Sequence, residues 1–178
     1  MQGLPGRVAA ALRDVPDFPK PGIVFKDITP VLADPRLFQA VIDHFAERYR
    51  GQGIDVVAGI ESRGFILGGA LAMALGAGFV PIRKPGKLPH HRLRVEYQLE
   101  YGSDALEAHV DAVTPGSSVL VIDDVLATGG TASAAIQLIR QLGGTVAAAA
   151  FLLELGFLCG RDRLPDVQMS ALVTFRGP

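Results

Sequence analysis

The chain has 178 residues, of which 49% are hydrophobic and 20% are charged, and its formal net charge is −1 at pH 7. This length allows a single domain with its own core, and we predict one domain over residues 1–178. The near-neutral charge gives no general attraction to nucleic acid or anionic lipid, so neither is expected as a partner. A single cysteine, Cys159, excludes an internal disulfide and favours a reducing cytoplasm.

An uncharged stretch, Gly64–Ile82, approaches the length of a membrane span. It contains several glycines and Pro81, and the segment Leu75–Gly78 is typical of a helix end followed by a new strand. We therefore predict a buried helix that leads into a buried strand, and no membrane segment. The N-terminal residues do not form a signal peptide, because charged side chains interrupt them.

Helix and strand patterns alternate along the chain. A short helix is predicted over Gly6–Val15. Asp34 and Pro35 mark the start of the next helix, because aspartate caps a helix and proline suits its first turn. Its apolar residues recur every four positions: Leu37, Val41, Phe45 and Tyr49. The later predicted elements are strand Asp55–Ile60, helix Phe65–Leu75, strand Phe79–Ile82, strand Val119–Ile122, helix Thr131–Leu142 and strand Val146–Leu153.

Strands that are apolar throughout and separated by helices indicate an α/β fold with a central, mostly parallel sheet flanked by helices. Ligands of such sheets bind beyond the carboxyl ends of the strands. The segment Lys84–Gly102 matches neither pattern. It is polar and rich in cations, and we predict that it forms an exposed hairpin or a mobile lid.

The most specific motif is Val119–Thr131. Its apolar strand is followed directly by Asp123 and Asp124, and Ala127-Thr128-Gly129-Gly130-Thr131 then opens a helix. Glycines allow a tight turn that presents backbone N–H groups, and a helix N-terminus favours an anion. We therefore expect a phosphate in the loop and sugar hydroxyls on the carboxylates. The fingerprints of P-loop ATPases and dinucleotide-binding oxidoreductases are absent from the sequence, which disfavours both classes.

Cations follow two other predicted strands. Arg63, in Glu61–Gly64, can place its guanidinium on phosphate oxygens, although a surface ion pair is the alternative. Arg83, Lys84 and Lys87 form either a solvated basic face or, beside a phosphate site, a group that neutralises substrate charge.

The Val119–Thr131 run resembles the phosphoribosyl pyrophosphate signature of the type I phosphoribosyltransferases. Three further segments resemble the adenine phosphoribosyltransferases in particular: Phe18–Pro30, Gly59–Phe65, and Arg83–Pro89 with Leu99–Gly102. The resemblance runs in order from about Phe18 to about Leu155. It implies transfer of 5-phosphoribosyl from phosphoribosyl pyrophosphate to adenine, giving AMP and pyrophosphate. Alternatives are hypoxanthine, guanine or xanthine as the acceptor, or a regulator that only senses phosphoribosyl pyrophosphate.

The resemblance also implies a role for each candidate site residue. Ribose and the 5′-phosphate are assigned to Asp123, Asp124, Ala127, Thr128, Gly129, Gly130 and Thr131. Pyrophosphate is assigned to Glu61, Ser62, Arg63, Arg83, Lys84 and Lys87, with a cis peptide between Glu61 and Ser62. The base is assigned to Val24, Phe25, Lys26 and Val125, with Phe25 and Val125 on opposite faces of the purine. The catalytic residues are Glu100, Arg63 and Lys87, with Glu100 handling the purine proton and Glu96 as the alternative.

The resemblance further implies an N-terminal hood over about residues 1–33, a lid over about 84–102, and a homodimer in which the Arg83–Lys87 segment acts on the neighbouring subunit's pyrophosphate. Mg²⁺ is expected to be held mainly by the substrate, with no direct protein ligand. The sequence departs from the family at two base-binding positions, because Lys26 and Val125 stand where arginine and leucine are common. No catalytic role is assigned to any of the four histidines.

Overall fold

The computed structural model describes residues 3–98 and 103–177. The helices are α1 Leu4–Ala11, α2 Thr29–Ala33, α3 Pro35–Tyr49, α4 Arg63–Leu75 and α5 Gly130–Gln141. The strands are β1 Arg13–Pro16, β2 Val24–Asp27, β3 Val56–Ile60, β4 Gly78–Ile82, β5 Arg92–Gln98, β6 Ser103–His109, β7 Ser118–Leu126, β8 Thr145–Leu155 and β9 Met169–Phe175. Two short 3₁₀ helices, Gly156–Leu158 and Gly160–Arg163, lie between β8 and β9.

Five strands form a parallel sheet in the order β4-β3-β7-β8-β9, which confirms the predicted central parallel sheet. The chain continues from β3 to β4 on one side, whereas it continues from β7 to β8 and β9 on the other. The order of the strands therefore reverses between β3 and β7. In open parallel sheets, the crevice at such a reversal, beyond the carboxyl ends of the strands, is where ligands bind.

Successive residues of the central strands contribute to two separate cores, because side chains alternate between the faces of a sheet. Val57 and Leu120 belong to a cluster with residues of α1, α2, α3 and α4. Ala58 and Val121 belong to a second cluster with residues of α5 and of the β5–β6 hairpin. Both faces of the sheet are thus buried, which explains why the strands are apolar without alternation.

Helix α3 begins where the sequence predicts. The Asp34 carboxylate accepts hydrogen bonds from the backbone N–H groups of Arg36 at 2.9 Å and Leu37 at 3.1 Å. Pro35 occupies the first turn, where a missing N–H has no consequence.

Helix α4 and strand β4 confirm the prediction of a buried helix leading into a strand within Gly64–Ile82. No helix in the part of the chain that the structure describes is long and apolar enough to cross a membrane. Gly76, with φ +68°, ends α4 in the left-handed conformation that glycine adopts without strain.

Three segments differ from the sequence-based expectations. The first helix ends at Ala11 instead of Val15, because Arg13–Pro16 pairs antiparallel with β2. The polar segment that follows Lys84 contains β5, which pairs antiparallel with β6 outside that segment and buries Val95 and Tyr97. Strand β9 pairs parallel with β8 and was not predicted.

Helix α4 packs so closely on the sheet that glycine is needed at its contact face. A Cβ atom on Gly68 would lie 2.8 Å from the Phe79 ring and 3.1 Å from Ile122 Cγ2, whereas a Cβ on Gly69 would meet nothing within 4 Å. We expect Gly68→Ala to lower the free energy of unfolding by about 1–3 kcal/mol through overpacking. We expect the matched Gly69→Ala to raise it by up to about 1 kcal/mol through helix propensity. Urea unfolding measures both, and equal effects would contradict the packing.

Candidate active site

The acidic pair lies where β7 extends beyond its neighbour. Pairing of β3 with β7 ends at Gly59 and Ile122, whereas pairing of β7 with β8 continues to Leu126 and Glu154. Strand β7 is therefore longer than predicted, and Asp123 and Asp124 belong to the strand. They stand at the open edge of the crevice between β3 and β7.

Arg63, the first residue of α4, pairs with this edge. Its Nε donates a hydrogen bond to Asp124 Oδ2, and Asp124 is buried. The backbone N–H of Asp124 donates to Asp123 Oδ1 at 2.8 Å. Burial and the adjacent Asp124 charge raise the pKa of Asp123 well above its ordinary value, and the Arg63 charge offsets only part of this effect. The site thus holds two adjacent carboxylates in an arrangement that disfavours the ionised form of Asp123.

The glycine-rich loop follows β7 and leads into α5. Ala127, Thr128, Gly129, Gly130 and Thr131 line a recess of about 80 Å³ together with residues of the β7 end and of α5. Gly129 has φ +82°, which places the turn at the helix start. The loop therefore presents backbone N–H groups and two threonine hydroxyls near the α5 N-terminus, as expected for a phosphate site.

Glu61 connects two of the cations that follow β4. Its Oε2 accepts hydrogen bonds from Arg83 Nε at 3.2 Å and from the backbone N–H of Lys84 at 2.9 Å, and its Oε1 accepts one from Lys87 Nζ. Burial alone would raise the pKa of Glu61, but these donors outweigh it and hold the pKa below its ordinary value. The peptide bond between Glu61 and Ser62 is cis, as the resemblance implies.

Lys84 joins the β5–β6 hairpin to the glycine-rich loop. Its Nζ donates to Asp104 Oδ2 and to Tyr97 Oη at 2.7 Å, and Thr131 Oγ1 donates to the same Tyr97 oxygen at 3.3 Å. Burial would lower the pKa of Lys84, but Asp104 and Tyr97 raise it, so the side chain stays cationic. Sequence reasoning did not identify Asp104 or Tyr97, because neither position differs in type from an ordinary polar hairpin residue.

An apolar cavity of about 200 Å³ adjoins the acidic pair. It is lined by Ile23, Val24, Phe25, Lys26, Arg63, Val125, Ala127, Leu153 and Leu155, which include all four predicted base-binding residues. The Arg63 guanidinium lies 5.2 Å from the centre of the Phe25 ring, and the Phe18 ring meets that ring edge-on. A flat aromatic ligand fits a cavity of this lining.

The Lys26 side chain lines this cavity, but its ammonium group also contacts two residues that do not line it. Its Nζ donates to Asp14 Oδ1 at 2.8 Å and lies 4.7 Å from the centre of the Phe175 ring. The charge of Lys26 is thus balanced by the β1 side of the β1–β2 hairpin.

Of the two candidate acceptors of the purine proton, the structure describes only Glu96. Glu100 lies outside the described residues. Glu96 lies on β5, is exposed and accepts a hydrogen bond from Arg94 at 3.0 Å. Within residues 3–98 and 103–177, no group of three or more His, Cys, Asp or Glu side chains could hold a metal ion.

These features give one crevice three chemical capacities. The glycine-rich loop can bind a phosphate, the acidic pair can accept hydrogen bonds from vicinal hydroxyls, and the apolar cavity can hold a planar base. Four cations lie at the ends of β3 and β4, and the side chain of each contacts a carboxylate: Arg63, Arg83, Lys84 and Lys87. Such a set suits a phosphorylated sugar carrying a second anionic group.

Comparison with known proteins agrees with this chemistry. A family model for the phosphoribosyl transferase domain matches residues 27–170. The adenine phosphoribosyltransferase of Myxococcus xanthus is 60% identical over 166 residues, which are 93% of this chain and 90% of that protein.

Solved structures give the same result. The adenine phosphoribosyltransferase of Thermoanaerobacter pseudethanolicus superimposes with a TM-score of 0.94 at 49% identity, covering 97% of this chain and 100% of that one. The enzyme of Saccharomyces cerevisiae, solved with adenine and an imino-altritol 1,6-bisphosphate, superimposes with a TM-score of 0.89 at 43% identity, covering 95% of this chain and 98% of that one.

The fold and the crevice define a phosphoribosyltransferase of the α/β class. The chain belongs to the phosphoribosyltransferase family, and within it to the adenine phosphoribosyltransferases.

Replacing either member of the acidic pair with asparagine should change the free energy of unfolding, but in opposite directions. The raised pKa of Asp123 means that the folded chain binds this proton more tightly than the unfolded chain, so ionisation costs stability as the pH rises above the ordinary value of 3.8. Asp123→Asn should therefore raise the free energy of unfolding by about 1 kcal/mol at pH 8, and by less near pH 4. Asp124→Asn removes the partner of Arg63 and should lower it by about 1 kcal/mol. Urea unfolding at both pH values measures these changes, and a destabilising Asp123→Asn would contradict the electrostatics.

Proposed function

We propose that the chain uses the β3–β7 crevice to transfer 5-phosphoribosyl from phosphoribosyl pyrophosphate to adenine, releasing AMP and pyrophosphate. The observation that carries this proposal is the convergence of the glycine-rich loop, the acidic pair and the apolar cavity at one sheet edge. Each of the three parts suits one part of the substrates. The alternatives, another purine or a sensor without activity, lack a specific structural feature in their favour.

The sugar is held by the β7 end and the loop that follows it. Backbone N–H groups and hydroxyls of Ala127–Thr131 bind the 5′-phosphate, which fixes the ribose for attack. Asp123 and Asp124 accept hydrogen bonds from the ribose hydroxyls and lie close to the sugar as positive charge develops on it. Their anionic character favours that transition state over the ground state.

The leaving pyrophosphate is stabilised by cations at the ends of β3 and β4. Arg63, Arg83, Lys84 and Lys87 bind its oxygens, and Ser62 contributes polar contacts beside Arg63. Glu61 helps by positioning Arg83 and Lys87, since a carboxylate itself would repel pyrophosphate. As the bond to C1 of the ribose breaks, the electron pair leaves with the pyrophosphate, and a purine nitrogen attacks from the opposite side with inversion.

Adenine binds in the apolar cavity between Phe25 and Val125, with the backbone near Val24 and Lys26 at its polar edge. Residues 1–33 act as the hood over this base. Glu100 accepts the purine proton as the new bond forms. The lid over residues 84–102 closes on the bound substrates and excludes water, which would otherwise capture the activated ribose.

Mg²⁺ is the cofactor and is bound mainly through the substrate. Asp123 and Asp124 would be the carboxylates available to it, although Arg63 already contacts Asp124, and no larger group of candidate ligand side chains occurs among the described residues. This donor set fits a hard cation that keeps several substrate and water ligands. When bound, Mg²⁺ neutralises charge on the pyrophosphate.

The active form is a homodimer. Ile66 and Met73 lie seven residues apart on one face of α4, and Phe79 lies on the neighbouring edge strand β4; all three large apolar side chains are exposed, Met73 to 85%. Large apolar side chains that are exposed on adjacent elements favour association. A second subunit also allows the Arg83–Lys87 segment to reach the neighbouring pyrophosphate.

The enzyme acts in a reducing cytoplasm. Its single cysteine, Cys159, is free and exposed, so the fold gains nothing from an oxidising compartment.

The purified chain should form AMP when it is incubated with phosphoribosyl pyrophosphate, Mg²⁺ and adenine. Because base selectivity depends on differential binding in the cavity, kcat/KM for hypoxanthine, guanine and xanthine should be at least about a hundredfold lower. A parallel reaction with excess chelator controls for Mg²⁺ dependence. Turnover of another purine in preference to adenine, or of no purine at all, would contradict the proposal.

Two substitutions decide which glutamate handles the purine proton. Glu100→Gln should lower kcat by about a hundredfold while thermal unfolding stays unchanged, since a general base contributes to the rate and not to folding. Glu96→Gln is the matched control, four residues earlier in the sequence, and should leave kcat within about twofold. The reverse pattern would transfer the role to Glu96.

A further inference from the structure

An ion pair between a buried carboxylate, Glu154, and a half-exposed guanidinium, Arg161, lies next to the glycine-rich loop, in a part of the chain that the sequence motifs do not include. Glu154, near the end of β8, is only 5% exposed. Its two carboxylate oxygens accept hydrogen bonds from Arg161 Nε at 2.7 Å and Arg161 Nη2 at 2.8 Å. Thr174 Oγ1 on β9 donates to Oε2 at 3.3 Å. The carboxylate thus joins β8, β9 and the 3₁₀ helix Gly160–Arg163.

That 3₁₀ helix contacts the loop without any side chain between the two backbones. A Cβ atom on Gly160 would overlap the carbonyl oxygen of Ala127, and a Cβ atom on Gly129 would overlap the carbonyl oxygen of Gly160. Gly129 also has φ +82°, so the loop turns at the contact. Any movement of Gly160 is therefore transmitted directly to the loop that presents N–H groups to the phosphate.

The position of Gly160 depends in turn on Arg161, its immediate neighbour. The guanidinium fork fixes two atoms of Arg161 on a carboxylate that the sheet holds in place, and this geometry also lowers the pKa of Glu154. Neither Glu154 nor Arg161 lines the loop recess or the apolar cavity among the described residues. Both can therefore act only through the backbone that they hold.

We infer that Glu154 and Arg161 are positioning residues that hold the glycine-rich loop in its phosphate-binding form and so set the affinity for the 5-phosphoribosyl substrate. This inference rests on the proposed function of the loop. The base cavity should be affected much less. Leu153 and Leu155, which line it on either side of Glu154, are fixed by pairing with Val173 and Phe175 on β9.

The test measures the dissociation constant of ribose 5-phosphate by calorimetry, together with the KM values of phosphoribosyl pyrophosphate and adenine. Arg161→Gln should weaken ribose 5-phosphate binding and raise the KM of phosphoribosyl pyrophosphate by about tenfold, because small displacements of a binding loop have large effects. The KM of adenine should stay within about twofold. Arg161→Lys, which keeps the charge but not the fork, should give an intermediate loss.

Arg163→Gln is the matched control, since Arg163 lies in the same 3₁₀ helix, is exposed and has no ion pair in the described structure. It should leave all three constants unchanged. A folded Arg161→Gln with unchanged ribose 5-phosphate affinity, or with equal losses for both substrates, would overturn the inference. If Arg161→Gln does not fold, Arg161→Lys decides by the same criteria.

The two proposals fail in distinguishable ways, because ribose 5-phosphate binding is measured without turnover. A wild-type chain that binds ribose 5-phosphate but does not convert adenine overturns the proposed function, while the loss in Arg161→Gln still supports the positioning role. A wild-type chain that does not bind ribose 5-phosphate overturns both.

Discussion

The close approach of the α4 N-terminus to the end of β7 is the constraint on which the site depends. A Cβ atom on Gly64 would lie 2.9 Å from the carbonyl oxygen of Ile122 and 3.0 Å from Asp123 Oδ1, so the helix could not begin here with a larger residue. This approach brings Arg63 onto Asp124 and leaves Asp123 with little compensation. The acidic pair is thus assembled at a cost to stability, as is common at sites built for a ligand.

The cations that face the crevice are held by exchangeable partners. Glu61 engages Arg83 and Lys87, and Asp104 engages Lys84. The three cations are between 33% and 47% exposed, so these ion pairs contribute little net stability. In the proposed function, the carboxylates keep these cations positioned before pyrophosphate arrives. By contrast, the Glu154 carboxylate on β8 has partners on two other elements, Arg161 on the 3₁₀ helix and Thr174 on β9, which suits a fixed support.

The sequence predicts the central sheet because strands that are apolar at every position must be buried on both faces. The position of the crevice follows, because ligands of such sheets bind beyond the carboxyl ends of the strands. It also locates the acidic pair and the loop, since these directly follow a strand whose end is clear from the sequence. The cis peptide was expected only from the family resemblance. It does not predict β1, β2, β6 or β9, whose mixed composition reflects edge positions and pairing with distant segments. The contacts of Lys84 with Asp104 and of Glu154 with Arg161 depend on register and on turns, which a local pattern does not encode.

Lys26 and Val125, the two residues that differ from the family at the base cavity, are expected to affect the cavity to different extents. The Lys26 ammonium is held by Asp14 and lies over the Phe175 ring, so its charge does not act on the cavity by itself. The presence of lysine where the family commonly has arginine is therefore expected to affect the cavity chiefly through the β1–β2 hairpin, which includes Val24, Phe25 and Lys26 of the cavity lining. Val125 lines the cavity directly, and a shorter side chain than leucine changes its volume and apolar area at the position assigned to one face of the purine. If adenine occupies this cavity as proposed, we therefore expect Val125 to affect selectivity for the base more than Lys26.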